Sequence, residues 1–89
     1  MVTADAAAIV PTDEELGARF AAGDPTAIDD LYVRWKPRIL QYVLGKVRDR
    51  AVAEDITQTT FVRAIEEWTS LRDPAKVRSW LYTIALNLV

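Results

Sequence analysis

Between Ile28 and Val47 the apolar residues Ile28, Leu31, Tyr32, Trp35, Ile39, Tyr42, Val43 and Val47 return every three or four positions. That spacing lines one side of a 3.6-residue helix and would scatter over both faces of a strand. It commits the middle of the chain to a long amphipathic helix. Pro37 sits inside it. The ring deletes one backbone hydrogen bond and crowds the preceding turn, which predicts a kink or a break. Tyr32, Trp35 and Tyr42, at helical spacing, read as packing residues.

The flanking segments carry helix punctuation. Thr12 followed by Glu15 is a capping-box pattern, and Asp13 and Glu14 suit the positive end of a helix dipole. A short helix follows with Leu16, Phe20 and Ala21 inward, ending at Gly23. Asp24-Pro25 and Asp73-Pro74 each read as N-cap and first turn. Between them lies "AEDITQTTFVRAIEEW", residues 53–68. It predicts a helix from about Ala51 to Trp68 with Val52, Ala53, Ile56, Phe61, Ala64, Ile65 and Trp68 inward. In the last helix Val77, Leu81, Ile84 and Leu88 form the inner line. No segment alternates like a strand, so the expected fold is all-α, a compact bundle of about four helices.

Size and inventory narrow the function. Eighty-nine residues make one small domain, expected over 13–89 behind a disordered tail at 1–12. Cysteine and histidine are absent. That removes disulfides, thiolate metal sites, and the commonest metal ligand and general base. No glycine-rich phosphate loop is present, so no cofactor or metal is expected. The adjacent acids Asp29-Asp30 and Glu66-Glu67 point apart on a helix. The inventory argues against an enzyme. No apolar run approaches membrane-spanning length, and "MVTADAAAIVPT" lacks the basic start of a signal peptide. A cytoplasmic protein without membrane contact is the expectation.

The net charge of −2 hides a blocky distribution. Residues 1–33 hold seven acids and one base; residues 34–50 hold six bases and one acid. Such blocks either solvate ordinary helix surface or present separate faces to separate partners.

Two faces stand out. On the 53–68 helix, Asp55, Gln58, Thr59, Val62 and Arg63 share the side opposite most apolar residues. This is either plain solvent surface or a docking face, where short Thr and Gln side chains let a partner helix approach and exchange hydrogen bonds. On the last helix, Lys76, Arg78, Ser79, Trp80, Thr83 and Asn87 mix cations, amides and an aromatic ring. Cations neutralise phosphates, amides read base edges and rings stack on unpaired bases. Alternatively, Trp80 and Tyr82 pack against the long second helix.

Taken together, "FAAGDPTAIDDLYVRWKPRILQYV", "AEDITQTTFVRAIEEW" and "VRSWLYTIALNLV" resemble region 2 of bacterial RNA polymerase sigma factors, of the extracytoplasmic-function (ECF) class. The resemblance covers roughly residues 13–89, with three motifs in the family's order. It implies docking on the β′ coiled coil of core RNA polymerase through Asp55, Gln58 and Thr59, with Val62 and Arg63 beside them. It also implies recognition and opening of the promoter −10 element, on its non-template strand. That role falls to Arg72 and Lys76 near the loop and to Arg78, Ser79, Trp80, Thr83 and Asn87 on the helix. The loop "SLRDPAKV" matches the stretch that receives a flipped-out base in this class. An anti-sigma factor is a further possible partner.

Four positions depart from the family pattern. Thr59 stands for its usual Glu, Leu86 for Arg, Val77 for Phe and Ile65 for Trp. A missing carboxylate at Thr59 predicts altered docking; Leu86 removes an expected phosphate contact. Family members carry a second domain that reads the −35 element, and the final helix reaches Val89 without a stop signal. The expectation is therefore a piece of a longer protein. The rival reading is a sigma-like module that binds a regulator without touching promoter DNA.

Overall fold

The computed structural model describes residues 10–89. The disorder expected of the N-terminal tail falls mainly on residues 1–9, which lie outside the described residues. Four α-helices follow in order: α1 (Asp13–Ala21), α2 (Pro25–Val47), α3 (Arg50–Glu66) and α4 (Val77–Leu88). Two short 3₁₀ turns, Trp68–Ser70 and Pro74–Lys76, connect α3 to α4. The fold is all-α, as the apolar period requires.

Most helix starts follow the sequence. Thr12 Oγ1 accepts from Glu15 N–H at 3.1 Å, and Glu15 Oε1 accepts from Thr12 N–H at 2.8 Å, closing the capping box. Asp24 caps α2 by accepting from Thr26 N–H, with Pro25 in the first turn. Asp49 caps α3 through Val52 N–H. Asp73 caps the 3₁₀ turn at Pro74, so the α-helix itself begins later, at Val77.

α2 organises the molecule. Its buried residues Ala27, Leu31, Trp35, Ile39 and Val43 fall at every fourth position. A strict four-residue repeat advances about 40° per step on a 3.6-residue helix, so the stripe winds around α2 and meets different neighbours in turn. Trp35 Nε1 donates to Asp13 of α1 at 3.1 Å, beside an Arg34–Asp13 ion pair. Tyr32 meets Phe61 of α3 edge-on, with centroids 5.0 Å apart. Trp35 and Tyr42 both meet Tyr82 of α4 edge-on. α2 is not broken at Pro37: the helix runs through it. Pro37 and Val33 are exposed, so the carbonyl freed by the missing N–H is on the solvent side, where water can satisfy it.

α3 corrects the expected inner face most. Val52, Ile65 and Trp68 are exposed, whereas Thr57 and Thr60 are buried with Ala53, Phe61 and Ala64. The buried stripe is mostly small, which lets α3 lie close against α2 and α4. Each Thr hydroxyl donates back to the carbonyl one turn earlier, Thr57 to Ala53 at 2.7 Å and Thr60 to Ile56 at 2.8 Å. A hydroxyl so bonded can be buried at little cost. In α4 the deepest line is Val77, Leu81 and Ala85, with Ile84 and Leu88 half-buried. In α1, Gly17 is buried beside Leu16 and Phe20, whereas Ala21 is half-buried.

Candidate nucleic-acid and polymerase interfaces

The outer side of α3 holds one group of candidate residues. Asp55, Gln58, Val62 and Arg63 are exposed and Thr59 is half-buried. The threonine run therefore divides: Thr57 and Thr60 belong to the core, Gln58 and Thr59 to the surface. Gln58 Oε1 accepts from the Tyr32 hydroxyl at 3.2 Å, which ties the amide to α2 and leaves its NH₂ free to donate outward. Tyr32 thus supports this face, a role its place in an aromatic packing stripe gave no sign of. Val62 adds an apolar contact at 46% exposure. Arg63 lies 4.0 Å from Glu66 and 3.8 Å from Glu67, contacts too long and too solvated to hold it firmly.

The second group converges where the α3–α4 connection meets α4. Ser70, Arg72, Lys76, Ser79, Trp80 and Thr83 wall a surface recess of about 330 Å³. Trp80 is fixed from two sides. Its ring packs on Phe20 of α1 at a centroid distance of 5.6 Å, and Nε1 donates to Ser70 Oγ at 2.9 Å. It therefore packs against α1 and the loop rather than against α2, while Tyr82 takes the α2 contact. The Asp73-Pro74 turn carries Arg72 and Lys76 to the rim, both exposed. Ser79 and Thr83 donate their hydroxyl protons to the helix, to Lys76 O at 3.1 Å and Ser79 O at 2.9 Å. Their oxygens remain as acceptors facing outward, suited to the amino group of a base.

Two candidates lie apart from this recess. Arg78 turns toward α2, over the Trp35 ring at 5.5 Å, and Asn87 sits about two turns beyond Trp80 toward the end of α4, exposed. Of the wall residues to which motif reading gave no binding role, Ser70, Leu71 and Asp73, it is Ser70 that positions the Trp80 ring. That serine lies within the quoted loop stretch, but its part depends on a partner ten residues away.

The Sigma-70 region 2 family profile matches residues 31–89. The chain belongs to that family. Among its relatives, the RNA polymerase sigma factor YlaC of Bacillus subtilis (strain 168) is 39% identical over 66% of this chain and 34% of its own length. The ECF RNA polymerase sigma factor BldN of Streptomyces coelicolor is 37% identical over 84% of this chain and 29% of its own. The RNA polymerase sigma-H factor of Pseudomonas aeruginosa is 32% identical over 84% of this chain and 39% of its own. The chain thus spans about a third of the length of these curated relatives. No solved structure matches it. Both candidate faces of this region 2 chain fall within the matched residues. Among the described residues no helix is long and apolar enough to cross a membrane.

Proposed function

We propose that this chain is a sigma-factor unit, spanning about residues 13–89, that docks on core RNA polymerase and reads the promoter −10 element. The observation that carries the reading is the recess around Trp80. There two cations, the Ser79 and Thr83 hydroxyls and an aromatic ring converge from loop and helix onto a space open to solvent, and the one carboxylate in its wall, Asp73, is engaged in capping Ala75 N–H. Cations at the rim suit phosphates, the hydroxyl oxygens suit base amino groups, and the indole offers an edge or face to an unpaired base. A duplex keeps its bases stacked, so the recess suits a strand already melted. Membership of the region 2 family and relatives named as RNA polymerase sigma factors support the same reading. Polymerase docking is assigned to the separate α3 face of Asp55, Gln58, Thr59, Val62 and Arg63, whose occupant in this reading is the β′ coiled coil.

Two measurements test it. Titration with an isolated β′ coiled coil should give saturable binding at micromolar concentration. Gln58→Ala or Asp55→Arg should weaken that binding by about 1–3 kcal/mol. Fluorescence anisotropy with single-stranded −10-like and scrambled oligonucleotides should show a preference for the former that fades in Trp80→Ala and Asn87→Ala. Absence of coiled-coil binding would refute the docking assignment. Coiled-coil binding with no oligonucleotide preference would refute DNA reading and favour a module that binds a regulator. Leu86, 49% exposed at a position where a cation would help hold DNA, is the observation on that side.

A further inference from the structure

The basic block of α2 has no part in the reading above. From Lys36 to Arg48 this stretch contains no acid, and α4 contains none along its length. The fold sets these two acid-free stretches side by side. Tyr82 of α4 meets Trp35 and Tyr42 of α2 edge-on, with centroids 6.1 and 5.0 Å apart. Cations stand around this aromatic cluster. Arg38 of α2 and Arg78 of α4 both lie over the Trp35 ring, at 5.3 and 5.5 Å, and Lys46 lies over Tyr42 at 5.0 Å. All three are exposed, and none is ion-paired with a carboxylate of the described residues. Contact with a ring restrains a long side chain in advance, so less rotamer freedom is lost when it meets an anion.

A shallow cleft opens at this place, lined by Tyr42, Arg78, Ser79 and Tyr82. Ser79 is also a wall of the Trp80 recess. The two concavities are therefore neighbours across a single small side chain, with cations on the outer slopes of both.

We propose that the cleft carries the sugar-phosphate backbone of the DNA strand whose base enters the recess, with Arg38 and Lys46 of α2 joining Arg78 to neutralise successive phosphates. The path of the strand rests on the −10 reading; the anion-binding character of the cleft does not. A nucleic-acid backbone fits better than a protein partner. The cleft is lined by two tyrosines, Ser79 and Arg78, and the exposed apolar residues Val52, Val62 and Ile65 lie on α3, with only Leu86 one turn beyond Tyr82. Three cations unpaired among the described residues, on two acid-free stretches, complement a polyanion, and a nucleic-acid backbone presents its charges in such a row.

The test is the salt dependence of oligonucleotide binding by the full 89-residue chain, read by anisotropy. Single-strand binding weakens with log salt by about 0.7 per neutralised phosphate. The Arg38→Gln/Lys46→Gln double variant should lose about 1.4 from that slope, with weaker binding to −10-like and scrambled strands alike. Arg38→Lys/Lys46→Arg keeps both charges and should keep the slope; circular dichroism melts establish that both variants fold. An unchanged slope in the folded Gln variant overturns the proposal. So does an absence of any DNA binding by the parent chain at low salt, or a loss confined to binding of the β′ coiled coil. If the parent binds strands without sequence preference and the Gln variant lowers the slope, the backbone cleft stands and the −10 reading falls. If sequence preference is present and the slope is unmoved, the reverse holds.

Discussion

A methyl group added to Gly17 would run into the backbone carbonyl of Pro74, because α1 lies directly on the turn that precedes α4. Gly45 is in the opposite situation: it is exposed on α2, and a Cβ there would meet nothing within 4 Å. Identical residues thus have opposite uses. Gly17→Ala should destabilise by about 1–3 kcal/mol, the range for overpacking a filled site. Gly45→Ala should stabilise by about 0.5–1 kcal/mol, because glycine loses the most backbone freedom in a helix. Urea titrations of the two variants check both signs. The threonine run shows the same dependence on surroundings. Thr60, fully buried, cannot accept a charge, whereas Thr59, half-buried, stands at the rim of the proposed docking face. The glutamate that the sequence resemblance leads one to expect falls on Thr59, the position of the two where a carboxylate can reach water.

At the scale of the element, local chemistry decides where helices begin. Glu15 is held below its ordinary value of 4.5 by hydrogen bonds from Thr12, the backbone N–H foremost. Asp24 is held below its ordinary 3.8 by the Thr26 hydroxyl, then by the Thr26 N–H and by Arg19. A carboxylate with a depressed folded pKa contributes stability above its unfolded value and loses it as pH falls through the folded one. These two caps should therefore contribute steadily from neutral pH down to about 4.5, and lose their contribution below that as each titrates. Melting temperature followed from pH 7 toward pH 2 should show a decline in the acid range that is shallower in Glu15→Gln, which cannot titrate, than in Thr12→Ala. At neutral pH Thr12→Ala should be less stable than the parent by about 1 kcal/mol, the usual loss for an N-cap hydroxyl. Arg48 marks the other end of α2 in the left-handed region at φ 58°, where glycine is the usual choice.

Across the whole molecule, α2 serves as a common support. Tyr32 touches Phe61 and Gln58 of α3, while Trp35 and Tyr42 touch Tyr82 of α4. The two proposed surfaces are therefore carried by different helices on one rigid strut, and Gln58 and Asn87 share no contact partner. Free energies of polymerase and DNA binding should respond to them separately. In a double-mutant cycle, Gln58→Ala and Asn87→Ala should add to within about 0.5 kcal/mol in holoenzyme binding to a promoter fork. A larger coupling would mean that one face reorganises when the other is occupied.

The sequence by itself determined the helices and most of their caps, and it nominated the residues of both candidate faces. These depend on side chains close together along the chain, where period and capping chemistry act directly. It left open whether Pro37 breaks α2, and the helix is continuous because water can reach the freed carbonyl on the exposed side. It misjudged α3, counting Val52, Ile65 and Trp68 as inner residues and overlooking Thr57 and Thr60. A helix of weak amphipathic character does not announce its inner side, and only the approach of α2 and α4 chose one. The Trp80 recess, the Tyr32–Gln58 bond and the Arg38–Trp35–Arg78 stack were likewise decided by tertiary structure. Each joins residues on separate elements, and no local period encodes which of several compatible faces meets which. Packing resolves that choice, because the buried small-residue stripe on α3 and the winding stripe on α2 can be satisfied together in this arrangement.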